Sequence, residues 1–208
     1  MDGYERRKRK KMERIFGVSF ELFFKHGFQK VSVNEIAHKA NVSPATIYNY
    51  FGTKEQLYAE TLTNWMDKQL ERYESILDSG LSFPEKAKEI MLLEAKNLNL
   101  LADELQKVPS SEPGGWKRMM ESYSERKVAP FFAKFVALGK REGSIRKDLS
   151  DEVAMRYFAM FNHELSRYWG SANEERTTRD LDQMMELFFY GLAGKGQSPD
   201  LPLAPYVT

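Results

Sequence analysis

Three helix-starting signals fall within twenty-five residues, from Ser32 to Gln56, and no other stretch restricts the fold as tightly. Ser32-Val-Asn-Glu35 has capping-box spacing, in which a serine hydroxyl can accept the backbone N–H three residues on. Ile36, Ala37 and Ala40 are the apolar positions of the short helix it opens. Asn41 tolerates the left-handed region and suits a tight turn, with Val42 as an apolar residue within it. Ser43-Pro44 then pairs an N-cap residue with proline at the first helical position. A second short helix follows to about Phe51, where Gly52 stops it. Thr53-Lys-Glu-Gln56 is another capping box and opens a long helix to about Leu77.

Two short helices joined by a tight turn, with a long helix on either side, form a helix-turn-helix pattern, whose second short helix is the one presented to a major groove. On that helix Ile47 and Phe51 sit four apart and can face inward. Pro44, Ala45, Thr46, Tyr48, Asn49 and Tyr50 are left mostly outward. Folding does not need exposed aromatic and amide groups on a short helix. Duplex DNA can use them: tyrosine hydroxyls reach phosphates or base edges, and Ala45 allows close approach to a thymine methyl. Tyr48 and Tyr50 flank Asn49 and cannot both turn inward. Lys54 opposes the macrodipole at the start of the long helix, a cost that a phosphate contact would offset.

The rest of the chain also reads as helical. Met12, Ile15, Phe16, Ser19, Leu22 and Phe23 form one face of a first helix, which Gly27 ends and onto which Phe28 can fold back. Phe83-Pro84-Glu85 opens a helix to about Leu101, and Pro109–Gly115 interrupts the pattern. A long helical stretch from about Trp116 to Arg141 contains Pro130, so a kink or break is expected near Lys127. Ser150-Asp151-Glu152 caps a helix ending near Gly170, and a last helix runs from Thr177 or Thr178 to near Gly194. Pro199, Pro202 and Pro205 mark an extended or disordered tail. No segment alternates like a strand. The expected fold is all-α: a helix-turn-helix domain over residues 1–54, a helical domain over 55–194 and a proline-containing tail over 195–208.

Charge separates along the chain. Residues 1–54 carry eleven Lys/Arg against five Asp/Glu, and the remaining residues carry twenty against twenty-five. Seven of the ten residues from Glu5 to Arg14 are basic. That run is either a solvated, frayed arm or, joined to a helix-turn-helix, a source of nonspecific phosphate affinity. The absence of cysteine removes disulfides and thiolate chemistry and fits a reducing cytosol. No apolar run is long enough to span a bilayer, and no secretory leader pattern follows the basic start. His26, His38 and His163 lack ligand-spaced partners, and no Gly-rich phosphate loop or nucleophile–base pair is visible. Neither an enzyme, a metal site nor a cofactor is therefore expected.

The run from Val31 to Leu57, most specifically Thr46-Ile-Tyr-Asn-Tyr-Phe51 followed by Lys54-Glu-x-Leu57, resembles the DNA-binding domain of TetR/AcrR-family transcriptional regulators. Phe23-x-x-His-Gly27-Phe28 fits the end of that family's first helix, and the resemblance extends over about residues 10–60. It implies that Pro44, Ala45, Tyr48 and Asn49 face base edges and that Thr46, Tyr50 and Lys54 hold phosphates. It also implies that Ser32, Val33 and Asn34 lie against DNA. Two positions depart from the family pattern: Asn41, where glycine is usual, and Val33, which cannot bond a phosphate as the commoner threonine can.

The resemblance further implies a homodimer built on the last two helices, with a small-molecule effector bound in the helical domain. The residues allow both. Tyr157, Phe161 and Tyr168 form one apolar stripe, and Phe158, Asn162, Leu165 and Trp169 form another. The last helix adds Met185, Phe188 and Phe189. A helix apolar on two sides needs two burial partners, either a second subunit or more of its own monomer. Trp65, Met66, Met91, Met119, Tyr123, Phe131, Phe135, Phe158 and Asn162 are candidate pocket residues, since methionine and aromatic groups line adaptable cavities. They also fill ordinary cores. The function expected is a ligand-responsive repressor released from a palindromic operator. An architectural or division-linked DNA-binding protein of the same fold, without an effector, is the alternative.

Overall fold

The computed structural model describes residues 3–105, 113–170 and 178–190, and no strand occurs among them. Helix α1 (Gly3–His26) ends at Gly27, whose φ of 81° is the left-handed conformation a C-terminal stop requires. Then come α2 (Val33–Lys39), α3 (Pro44–Phe51), α4 (Lys54–Leu77) and α5 (Phe83–Leu105). Helix α6 (Pro113–Tyr123) leads through a π-helical turn (Ser124–Val128) into α7 (Ala129–Arg141), followed by α8 (Asp151–Gly170) and α9 (Thr178–Tyr190). Most of the 109–115 break and the whole 195–208 tail expected from the sequence lie outside the described residues.

Each start between α2 and α4 is made as its residues dictate. The hydroxyls of Ser32, Ser43 and Thr53 accept the N–H groups of Glu35, Thr46 and Gln56 at 3.1, 3.2 and 3.1 Å. Ser150 likewise accepts from Val153 at the head of α8, at 3.2 Å. Each bond satisfies a donor that a helix N-terminus otherwise leaves open. The proline at 130 has the expected local effect in a specific form. Its ring cannot sit against the carbonyl of residue 126 in a regular α-turn, and the backbone widens just before it. The N–H of Ala129 reaches back five residues to the Ser124 carbonyl.

The chain forms two compact units. One comprises Met1–Gly80 with Asn97–Phe135; the other comprises Leu81–Lys96 with Val136–Thr208. In the first, Ile15, Phe16, Leu22 and Phe23 of α1 pack with Ile36 and Ala37 of α2, Ile47 and Phe51 of α3, and Leu57, Tyr58 and Leu62 of α4. Phe28 does fold back, its ring 5.8 Å from Phe23 and 5.1 Å from Tyr58. Farther along α4, Asp67 accepts the Tyr123 hydroxyl at 3.1 Å and pairs with Lys127 at 3.5 Å. Glu74 pairs with Lys134 at 3.5 Å. In the second unit the backbone N–H of Phe83 donates to the Glu142 carboxylate at 3.0 Å. Phe83 itself is fully buried against the Gly139 backbone, with Ile145 on the same spot.

Candidate nucleic-acid interface

Helix α3 is short, capped at both ends and amphipathic. Ile47 and Phe51, 1% and 4% exposed, point into the core, where the Phe51 ring meets Phe16 edge-on at 5.5 Å. Gly52 ends the helix at φ 74° and donates its N–H to the Tyr48 carbonyl at 2.8 Å. The turn before α3 is equally defined. Asn41 sits at φ 50°, its N–H donating to the His38 carbonyl at 3.1 Å, and the Val42 N–H donates to the Ala37 carbonyl at 3.0 Å. Asparagine can hold this position because its short polar side chain lowers the cost of the left-handed region.

The outer face carries the residues expected there. Pro44, Ala45, Tyr48 and Asn49 are exposed, Tyr48 by 51%. Thr46 is half-buried, and its hydroxyl lies 2.9 Å from the Ser43 hydroxyl, so it belongs to the cap in the protein alone. The two tyrosines differ. Tyr50 packs half-buried against the core beside Phe51, while Tyr48 stands clear of it. Ser32 and Asn34 are exposed at the head of α2, whereas Val33 is buried and serves the core. Lys54 is half-buried, its ammonium 4.4 Å from the centroid of the Phe28 ring. Partial burial lowers its pKa from the ordinary 10.5, and the neighbouring Glu55 carboxylate opposes that shift.

Sequence reading did not single out Arg14. Its guanidinium is 3.5 Å from the backbone carbonyl of Asn41, beside the turn that leads into α3. The available signal was its spacing of four and seven from Lys10 and Arg7.

The residues proposed for a pocket fall in both units. In the first, Met66, Tyr123, Phe131 and Phe135 are buried, and Met119 is half-buried with its sulfur 3.9 Å from the Thr63 hydroxyl. Trp65 stacks on Phe20 at 5.7 Å, and Phe20 stacks on Phe24 at 3.9 Å. In the second, Met91 and Phe158 are buried. The side chain of Asn162 lies outside the described residues, as does that of Tyr168. A groove of about 320 Å³ in the first unit runs between Leu70 and Glu71 of α4 and Arg126, Pro130 and Phe131, the last of them one of these residues.

Helices α8 and α9 pack through aromatic rings within the second unit. Phe188 lies 5.2 Å from Tyr157, 5.7 Å from Phe158 and 4.8 Å from Phe161. The Tyr157 hydroxyl donates to the Phe188 carbonyl at 2.9 Å. Phe189 reaches Phe83 at 6.3 Å, and Met185 is buried. On the outer side Val153, Tyr157 and Met160 are exposed at helical spacing along α8, with Leu187 and Tyr190 exposed on α9. Among the described residues no three His, Cys, Asp or Glu side chains gather as a metal site, and no helix is long and apolar enough to cross a membrane.

Comparison with known proteins matches this geometry. The family model described as "Bacterial regulatory proteins, tetR family" matches residues 15–61, the stretch holding α1 to α3 and the start of α4. The HTH-type transcriptional repressor KstR2 of Mycolicibacterium smegmatis is 30% identical over 74 residues, 36% of each chain. The fatty acid metabolism regulator protein of Bacillus subtilis is 30% identical over 97 residues, 47% of this chain and 48% of that one. The chain thus spans between about a third and a half of these two relatives' lengths. Beyond the helix-turn-helix the likeness is one of fold. The fatty acid degradation regulator FadR from Bacillus halodurans superposes with a TM-score of 0.67 at 19% identity, covering 89% of this chain and 97% of that one. Residues 15–61 thus match the TetR family of bacterial regulatory proteins, and the chain shares its all-helical fold with the solved regulator.

Proposed function

We propose that this chain is a homodimeric repressor that leaves a near-palindromic operator when a small molecule binds its helical region. One observation carries the DNA half of the proposal. Tyr48 and Asn49 stand exposed on a helix whose caps and inner face need neither of them. Two such helices related by a two-fold axis would enter successive major grooves about 34–36 Å apart. The exposed stripe of Val153, Tyr157 and Met160 supports pairing through α8 and α9, since an isologous interface buries the same patch on both subunits. An effector that favours a dimer with the wrong helix separation lowers DNA affinity by linkage, typically by 5- to 150-fold.

The choice of effector probe follows from the relatives. One is named a fatty acid metabolism regulator, and FadR of Bacillus subtilis, which shares this fold at 19% identity with a TM-score of 0.66, was solved in complex with stearoyl-CoA. Buried methionine and aromatic side chains such as Met66, Phe131 and Phe135 suit an acyl chain. Duplexes bound by the purified protein are selected from a random pool, and the winning sequence is titrated with and without stearoyl-CoA and shorter acyl-CoAs. Selection of a two-fold sequence and its release by one of them is the expected result. Tight binding that no panel of small molecules alters would favour the architectural role. No selected sequence at all would remove the proposal.

A further inference from the structure

We infer that Arg6, Arg7, Lys10 and Arg14 form a phosphate-binding strip on α1 that extends the DNA contact beyond the groove read by α3, an inference that rests on the DNA-binding reading above. Helix α1 starts at Gly3, so the basic run is helical and its side chains have a defined arrangement. Residues 6, 10 and 14 are spaced by four, and residues 7, 10 and 14 by three and four, which puts all four on one face. All four are exposed. Ile15, Ser19, Leu22 and Phe23, which face the core, lie on the opposite side of the same helix.

The strip has a fixed relation to the reading head. Arg14, at its inner end, lies 3.5 Å from the Asn41 carbonyl in the turn that opens into Ser43 and α3. From there the strip runs outward along α1 for about 12 Å, the rise of eight helical residues. Measured along the duplex axis, that length covers three or four base-pair steps, at about 3.4 Å each.

Folding of α1 does not account for these charges. Cations crowd the end of the helix where the macrodipole is positive. Like charges also meet at helical spacing in Arg6–Lys10, Arg7–Lys11 and Lys10–Arg14. Only Glu5 and Glu13 are acidic in this stretch, and the Arg9–Glu13 pair at 3.8 Å is solvent-exposed on both sides and worth little. The arrangement costs an isolated helix stability, and a polyanion laid along it reverses the sign. A membrane surface is the poorer partner. The outer turns of α1 offer Tyr4 as their single exposed large apolar residue, so they have no apolar face to bury among lipids.

The test uses the full chain and the triple variant Arg6→Gln, Arg7→Gln, Lys10→Gln. Glutamine keeps helix propensity near that of lysine and arginine. Arg14 is left in place because it touches the turn. Binding is measured between about 50 and 200 mM salt on the pool-selected duplex and on a labelled duplex of arbitrary sequence. The expected result is a salt slope shallower by about 2 to 3 per protomer, at about 0.9 for each phosphate released, and equal on both duplexes. An unchanged slope overturns the strip. So does a loss confined to the selected duplex, which would make these side chains base readers. Loss of binding to phosphatidylserine vesicles with DNA binding unaltered would overturn it in favour of a lipid surface. If the unmodified protein bound neither duplex, the DNA-binding reading itself would fall. If it bound both and the variant matched it, the strip alone would.

Discussion

The ammonium of Lys54 rests 4.4 Å from the centre of the Phe28 ring, at the first residue of α4 and beside the loop that ends α1. The ring face offsets part of the repulsion between a lysine and a helix N-terminus, so the charge is held three residues past the end of α3. Lys54→Met keeps the stem and removes the charge. It should weaken binding to every duplex alike and reduce the salt slope by about 0.9 per protomer. A sequence-selective loss would contradict the phosphate role.

The same lysine gives a pH dependence. Burial lowers its pKa below 10.5, so between the lowered value and 10.5 the unfolded chain holds the proton more tightly than the folded one. Stability contributed by this residue therefore rises with pH across that window, while its attraction for a phosphate falls. The affinity advantage of the unmodified protein over Lys54→Met should shrink on the alkaline side before unshifted lysines discharge. A constant ratio up to the ordinary lysine range would mean that the Lys54 pKa is not lowered in the free protein.

In the second unit, Gly139 of α7 has no room for a side chain. A methyl group there would sit 2.6 Å from Phe83 Cζ and 2.6 Å from Ile145 Cδ1. Phe83 is fully buried and cannot swing away cheaply. Alanine should gain helix propensity of up to about 1 kcal/mol and lose about 1–3 kcal/mol to overpacking. The net expectation is a lower midpoint in chemical denaturation. A midpoint at or above that of the parent would mean that Ile145 gives way freely.

What the sequence disclosed, and what it hid, follows from the range of the forces involved. The caps at Ser32, Ser43 and Thr53 were legible because each is a bond between a side chain and a backbone group three residues away. The inward turn of Ile47 and Phe51 followed from periodicity alone. Pro130 revealed where the helix must yield, since a missing N–H is a local fact. That the chain would yield by a π-turn depends on how Ser124–Val128 and the helices around it settle, which no spacing encodes. The start of α1 at Gly3 was hidden because the apolar stripe begins only at Met12. The stacking of Trp65 on Phe20 was hidden because it joins side chains 45 positions apart.

The two tyrosines of α3 invite different substitutions. Tyr48 is exposed and Tyr50 leans on the core, so Tyr48→Ala and Asn49→Ala should leave stability within about 0.5 kcal/mol, as surface changes usually do. If these side chains read bases, each loss should cost about 1–3 kcal/mol on the selected operator and little on arbitrary DNA, narrowing the gap between them. Tyr50→Ala should instead lower stability as well as affinity. Equal footprints for parent and variants would remove Tyr48 and Asn49 from the reading surface.

The exposed face of α8 permits a test of assembly that leaves the protomer's core alone. Val153, Tyr157 and Met160 recur at intervals of four and three, and Met160 is 59% exposed, so a charge placed there meets solvent in a lone protomer. In an isologous pair the same patch is buried on both subunits, and a residue near the two-fold axis faces its own copy. Met160→Glu then sets two carboxylates against each other or strands each in an apolar contact, at a cost of several kcal/mol to association. Sedimentation should show the parent as a dimer and the variant as a folded monomer with unchanged helical content. The variant should hold half an operator only weakly, because two half-sites no longer bind as one. A variant that remained dimeric with full operator affinity would move the interface elsewhere on the chain.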